Sequence, residues 1–244
     1  MARFLLGPRP GWQEAIVLFA IYQAYTLIRG HLPEPEGVAF ANASRLIDVE
    51  RALGIFHEET LQEWVLPVRP LIRFWDAYYA TIHFVVPVVV LVLLWRRNRD
   101  RYRLWRNAFG VMLGVGLVGF ILLPLAPPRL LPPSYGFVDT QATEGGVGPV
   151  GRRYQEDTNR FAAMPSLHMG WSTWCAFALV PLLRRRWTRA LIIAYPVLTL
   201  VAIVVTANHF FLDAVGGWVA LAVAVGVARL FERRPKGVLT PAPS

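Results

Sequence analysis

Apolar residues run along this chain in long blocks rather than in amphipathic stripes. Six blocks of 17 to 22 residues, over 11–29, 74–95, 107–125, 167–183, 190–206 and 210–231, are separated by polar segments. A helix rises 1.5 Å per residue, so blocks of this length match the ~30 Å hydrocarbon layer of a bilayer. A helix in a soluble protein keeps its apolar residues on one face. The pattern therefore predicts an all-α, polytopic membrane protein built as a six-transmembrane-helix bundle. Pro87, Pro181 and Pro196 fall within or near the block ends, where neighbouring helices can re-satisfy the freed carbonyls. Residues 38–66 differ: Phe40, Leu46, Ile47, Leu53, Ile55, Leu61 and Trp64 are interspersed with polar residues. That spacing predicts one or two interfacial helices on the outer face, either shaping a substrate site or capping the bundle. The expected organisation is one membrane domain over 1–236, with residues 237–244 as a disordered tail.

Charge sets the orientation. The segment 96–106 contains six arginines, Arg184 to Arg186 with Arg189 add four, and Arg229, Arg233, Arg234 and Lys236 lie near the C-terminal end. Basic loops stay cytoplasmic, so both termini are expected on the cytoplasmic side of a plasma membrane, of the bacterial type. The opposite side then receives 30–73, 126–166 and the tight 206–209 connection, and acidic residues such as Glu50, Glu58, Asp139 and Glu144 collect there. The net charge of +9 lies in these loops, where it fits anionic headgroups, so the bilayer is the expected partner and nucleic acid is not. Of the 25 basic residues only Lys236 is lysine, a bias that fits GC-rich coding. The one cysteine, Cys175, lies inside an apolar block, which excludes an internal disulfide or a redox pair. Arg3 and Arg9 precede the first block as in a signal peptide, but no small-residue cleavage site follows, so the block is expected to be an uncleaved span. Nothing in the pattern specifies an oligomeric state.

Two histidines fall at the outer ends of blocks: His168, in Pro165-Ser166-Leu167-His168, and His209, in Asn208-His209. Asp213 follows His209 by four residues, one helical turn along the same face. A carboxylate there can hold one ring nitrogen protonated and leave the other to attack or to accept a proton. Ionisable groups at a membrane boundary are costly and mark function. If His209 attacks phosphorus, the departing alkoxide needs a proton, which His168 can donate. The pentavalent oxyanion needs fixed positive charge. Arg129, in Pro127-Pro128-Arg129, is on the same outer side, and its guanidinium fork matches two phosphate oxygens. Ser166 begins the fourth block, where helix N–H groups would face a phosphate. Arg152, Arg153 and Arg160 belong to the same outer loop. Asp76, Tyr79 and His83 share one face of the second block, as a support behind the histidines or as a polar seam; Asn208 adjoins His209. His31 and His57 read as solvated loop residues.

Taken together, Pro165-Ser166-Leu167-His168 and the downstream His209-x-x-x-Asp213 resemble the type 2 phosphatidic acid phosphatase superfamily. Ala126-Pro127-Pro128-Arg129, Ala162 through His168 and Asn208 through Asp213 look most like its inositol phosphorylceramide synthase-like branch. The resemblance implies a six-helix membrane bundle and phosphoryl transfer on a lipid phosphate or phospholipid without metal or other cofactor. It assigns His209 as the nucleophile that forms a phosphohistidine, Asp213 as its orienter, His168 as the acid, and Arg129 and Ser166 as phosphate ligands. The superfamily's larger branch has a lysine and an arginine where this chain has Leu122 and Ile203, so the phosphate cradle must be rebuilt, with Arg152, Arg153 or Arg160 as candidates. Water as acceptor makes a phosphatase, and a lipid hydroxyl makes a phosphotransferase. A proton-coupled transporter is disfavoured because the ionisable groups cluster at one face instead of the midplane. A metal hydrolase is disfavoured because no close ligand pair such as H-E-x-x-H occurs.

Overall fold

The structure is a computed structural model that describes residues 10–143 and 159–232. Arg152, Arg153 and the expected tail at 237–244 lie outside the described residues. The described chain is helical throughout, apart from short turns and one isolated bridge between Leu125 and Ala162. Its α-helices are α1 (Gly11–Gly30), α2 (Glu36–Ala52), α3 (Glu58–Val65), α4 (Arg69–Arg97), α5 (Arg99–Leu122), the single turn α6 (Thr140–Thr143), α7 (Leu167–Leu179), α8 (Arg186–Val205) and α9 (Phe211–Glu232).

Four of these, α4, α5, α8 and α9, are long and apolar enough to cross a membrane. The chain is thus an all-helical protein with the composition of an integral membrane protein. The other two expected spans differ for separate reasons. Helix α1 has 20 residues but includes Gln13, Glu14, Gln23 and Arg29. Helix α7 has only 13 residues, extended by a 3-10 turn over Val180–Leu182. It lies at the centre of the bundle, packed by α4, α5, α8 and α9, so it meets protein on most of its surface. Trp171, Trp174 and Cys175 are all buried there, and the indole of Trp174 donates to the Trp105 carbonyl.

The arginine-rich 96–106 segment is no loop. Arg96 and Arg97 end α4, Asn98 alone makes the connection, and Arg99–Arg106 form the first two turns of α5. Asn98 caps α5 by accepting from the Arg101 N–H at 2.9 Å, which satisfies a backbone donor at the helix start. Further along α5, Arg106 and Tyr102 both bond Glu14, at 2.6 and 3.0 Å, and so fasten α1 to the bundle. The ion pair is buried on both sides, so removing one partner would strand a charge away from water.

Residues 38–66 form the two helices α2 and α3. Their Ala39, Ala43, Leu46 and Ile47 join Leu125, Leu131, Phe137, Phe161 and Phe210 in a second core at the end of the bundle where α7 and α9 begin. The approach of α7 to α9 requires glycine. A Cβ on Gly170 would stand 3.2 Å from the Gly217 carbonyl oxygen, and one on Gly217 would collide with the Ser166 carbonyl. This contact brings the starts of α7 and α9 together, where the histidines are.

Candidate active site

Helix α9 and the turn before it present His209. Helix α8 ends at Val205, and the chain reverses over Thr206–Phe210, with Ala207 in the left-handed region at φ 51°. A residue with a Cβ is strained there, and such strain persists only where surrounding contacts hold it. Those contacts are specific. The Ala207 carbonyl accepts from the Arg129 N–H at 2.8 Å, and the Ile203 carbonyl accepts from the N–H groups of Asn208 and His209. The turn therefore ties the backbone of Arg129 to that of His209.

His209 is buried and Asp213 is fully so. Nδ1 of His209 lies 3.3 Å from Asp213 Oδ2, which also accepts from the Phe210 N–H at 3.0 Å. Since a carboxylate only accepts, Nδ1 carries the hydrogen and Nε2 keeps its lone pair. Nε2 faces Nδ1 of His168 at 3.4 Å. The i,i+4 expectation for His209 and Asp213 thus holds as geometry.

His168 is held from behind by aromatic rings. Tyr79 stacks on it with centroids 4.4 Å apart, and His83 meets it edge-on at 4.3 Å. His83 Nδ1 donates to the Tyr79 carbonyl at 2.6 Å, and Trp171 stacks on the far side of His83. Asp76 is buried and accepts from the Thr140 hydroxyl at 2.8 Å, which fastens the turn α6. Along this face of α4, Tyr79 and His83 pack against His168, and Asp76 holds the turn α6.

Arg129 follows α5 in a 3-10 turn over Pro128–Leu130. Its Nε donates to Asn208 Oδ1 at 2.9 Å and its Nη1 to Asp139 at 3.2 Å. Asn208 in turn donates to the carbonyl and hydroxyl of Thr206. The guanidinium is thus aimed by the residue next to His209, and three of its five N–H bonds lie outside those two contacts. Ser166 is fully buried, caps α7 by accepting from the Met169 N–H, and donates its own N–H to the Asp213 carbonyl at 3.0 Å. Arg160 is exposed; its N–H donates to Glu34, and its guanidinium lies over the Phe161 ring.

The two positions where cations were expected are both apolar. Leu122 ends α5 as an exposed residue, and Ile203 is fully buried in a small core with Met169, Val204 and Ala214. Among the described residues, no group of three or more His, Cys, Asp or Glu side chains could hold a metal ion. Sequence reasoning did not single out Asp139 as the partner of Arg129, ten residues away through an irregular loop with no periodicity to signal it. It also did not give Glu50 and Glu58 their place at the start of α9, described below.

The family model of the PAP2 superfamily matches residues 44–227, three quarters of the chain. The chain belongs to the PAP2 superfamily. His168, His209, Asp213, Arg129 and Ser166 all fall within the matched stretch, and membership makes the protein a phosphatase- or phosphotransferase-type enzyme. Neither the curated proteins nor the solved structures gave a match.

Proposed function

We propose that this PAP2 protein moves a phosphoryl group from a lipid-linked phosphate or phosphodiester through a phosphohistidine on His209. The carrying observation is that the two ring nitrogens of His209 meet different partners, Asp213 at Nδ1 and His168 at Nε2. Nε2 attacks phosphorus, and the bond to the leaving oxygen breaks as His168 delivers a proton to it. Asp213 stabilises the positive imidazole that forms on attack. Arg129 neutralises charge on the non-bridging oxygens, with Ser166 and the start of α7 beside it. In the second half, water or a lipid hydroxyl gives its proton to His168 and attacks phosphorus, and His209 leaves. No step uses a metal.

The lipid substrate is supported by an apolar cavity of about 1400 Å³ between α1, α4 and α5. Leu18, Tyr22, Pro87, Leu91, Phe109 and Gly110 line it, with His83 and Trp171 at one end and Arg96 and Arg103 at the other. From residue 83 to residue 96, α4 extends about 20 Å at 1.5 Å per residue, enough for a hydrocarbon chain. We read α1 and α7 as two further spans, making six, with the termini cytoplasmic and the histidines on the outer face of a bacterial plasma membrane. The burial of α7 in the bundle supports its crossing despite its 13 residues. Residues 1–236 then form a single membrane domain.

The inositol phosphorylceramide synthase-like branch is the second reading, and Leu122 and Ile203 favour it. Both positions lack the larger branch's cations, and neither side chain can contribute to a phosphate cradle. The deciding experiment incubates purified protein with labelled phospholipids and candidate acceptor lipids. Free phosphate as product identifies a phosphatase, and a new phospholipid without free phosphate identifies a transferase. Absence of turnover on every lipid phosphate tested, alongside metal-reversible inhibition by EDTA on another ester, would contradict the proposal.

A further inference from the structure

Glu50 and Glu58 lie on the interfacial helices α2 and α3, and both are completely buried. Each spends one oxygen on the start of α9. Glu50 Oε1 accepts from the Leu212 N–H at 2.7 Å, and Glu58 Oε1 accepts from the Phe211 N–H at 2.9 Å. With Asp213 Oδ2 on the Phe210 N–H, three successive backbone donors each meet a carboxyl. A helix needs such acceptors because its first N–H groups have no partner within the helix.

The second oxygens behave differently. Oε2 of Glu50 and Oε2 of Glu58 are both buried with no hydrogen-bond partner among the described residues. Two buried carboxylates side by side, with no donor for either second oxygen, repel one another, and a proton on Glu50 relieves that cost. The chemistry agrees: burial, followed by the neighbouring carboxyl of Glu58 and the charge of Asp213, pushes Glu50 up to about 9. Among the described residues, the charged groups that act on Glu50 are Glu58 from α3 and Asp213 from α9, both acidic. The positive end of the α9 dipole is about half a charge and accommodates one carboxylate better than two.

We propose that Glu50 and Glu58 form a singly protonated acid pair whose grip on the first turn of α9 positions His209 and Asp213 for reaction. The inference rests on the phosphohistidine reading of His209. One turn beyond Glu58, Gln62 makes two hydrogen bonds to the backbone of Val138, both at 2.9 Å. Val138 adjoins Asp139, the partner of Arg129. Helix α3 therefore holds the nucleophile's helix with Glu58 and the partner of the phosphate-binding arginine with Gln62. Glu50 and Glu58 touch neither histidine in any contact described, and they act through the backbone of α9.

The test uses the full-length protein purified in detergent, with p-nitrophenyl phosphate as probe. Glu50→Ala removes both the acceptor for Leu212 and the pair's proton. It is expected to lower kcat at least about tenfold with KM within about twofold, as misplacement by a fraction of an ångström does. Glu50→Gln keeps an acceptor and is permanently neutral, so it should restore most of that loss. It should also shift the alkaline fall in kcat, which in the wild type follows ionisation of Glu50 near 9, upward by about a unit or more. A pH profile of Glu50→Gln that superimposes on the wild type overturns the proposal, and it does so even if Glu50→Ala fails to fold. A folded Glu50→Ala with wild-type kcat overturns it too. His209→Ala in parallel separates the two claims: its retention of activity would remove the phosphohistidine reading, whereas an inactive His209→Ala beside an unaffected Glu50→Ala removes the acid pair alone.

Discussion

Nε2 of His209 faces Nδ1 of His168 across 3.4 Å, on side chains 41 positions apart in the chain. The backbone bond from the Ser166 N–H to the Asp213 carbonyl fixes this relationship, as does the glycine-mediated contact of α7 with α9. On the proposed mechanism, His168 is the group beside Nε2 that supplies the leaving oxygen with its proton. The relationship makes separate demands on each residue around it.

His168 matters to the extent that the leaving group needs a proton. His168→Ala should lower kcat on an alkyl or lipid phosphate by about 10² to 10⁴, the usual contribution of a positioned general acid. On an aryl phosphate with an acidic phenol the deficit should shrink severalfold or more, which steady-state kinetics on a leaving-group series would register. An equal deficit across the series would assign His168 a binding or structural role instead.

Arg129 is a planar fork aimed by Asn208 and Asp139. A lysine preserves the charge but not the fork or the bond to Asn208. Arg129→Lys should therefore lower kcat by about 10² to 10³, the scale of losing one oxyanion donor, while the protein still folds. Asn208→Ala should produce a smaller loss in the same direction. Comparison of kcat and KM for the two variants checks this ordering.

Much of this was legible in the sequence because it is periodic. His209 lies just ahead of α9 (Phe211–Glu232), close enough to its first turn for the i,i+4 spacing to bring it to Asp213. The apolar blocks locate α1, α8 and α9 to within about four residues, whereas α4 begins about five residues before its block and α5 about eight. There the arginines that read as a loop are helical, because Asn98 caps them directly after α4. Contacts made through irregular backbone leave no such trace. The pairing of Arg129 with Asp139, and the reach of Glu50 and Glu58 over more than 150 residues to the start of α9, depend on how α2, α3 and the loop holding Asp139 fold back. Nor does local pattern explain why α7 is short; its central position does.

Stability should depend on pH through Glu50. Its carboxyl is protonated in the fold up to about 9, against an ordinary value of 4.5. Below the lower value both states hold the proton and nothing is lost. Between the two values the unfolded chain releases the proton while the fold retains it, so stability falls as pH rises. Above the upper value the slope vanishes. Thermal unfolding midpoints measured from mildly acidic to alkaline pH should fall in the wild type and fall less steeply in Glu50→Gln.

Chain selectivity should depend on the cavity beside α5. A Cβ at Gly110 would meet nothing within 4 Å, so a larger side chain there extends into the space. Gly110→Leu should displace about two buried methylenes of a long acyl chain, at about 0.8 kcal/mol each, or roughly tenfold in kcat/KM. The ratio of activity on a long-chain lipid phosphate to that on a short-chain one should fall by this factor, and an unchanged ratio would remove the cavity from substrate binding.

The most direct measurement of the central claim is an acid-sensitive, base-stable phosphoryl label on the protein itself. Purified enzyme is mixed with a lipid phosphate carrying a radiolabelled phosphoryl group, quenched in alkali within a turnover, and mapped by peptide. The expected result is label on the peptide containing His209, its absence in His209→Ala, and loss of turnover in that variant although it remains folded. Label on a different residue, or a His209→Ala protein that turns over the lipid at near the wild-type rate, would contradict it.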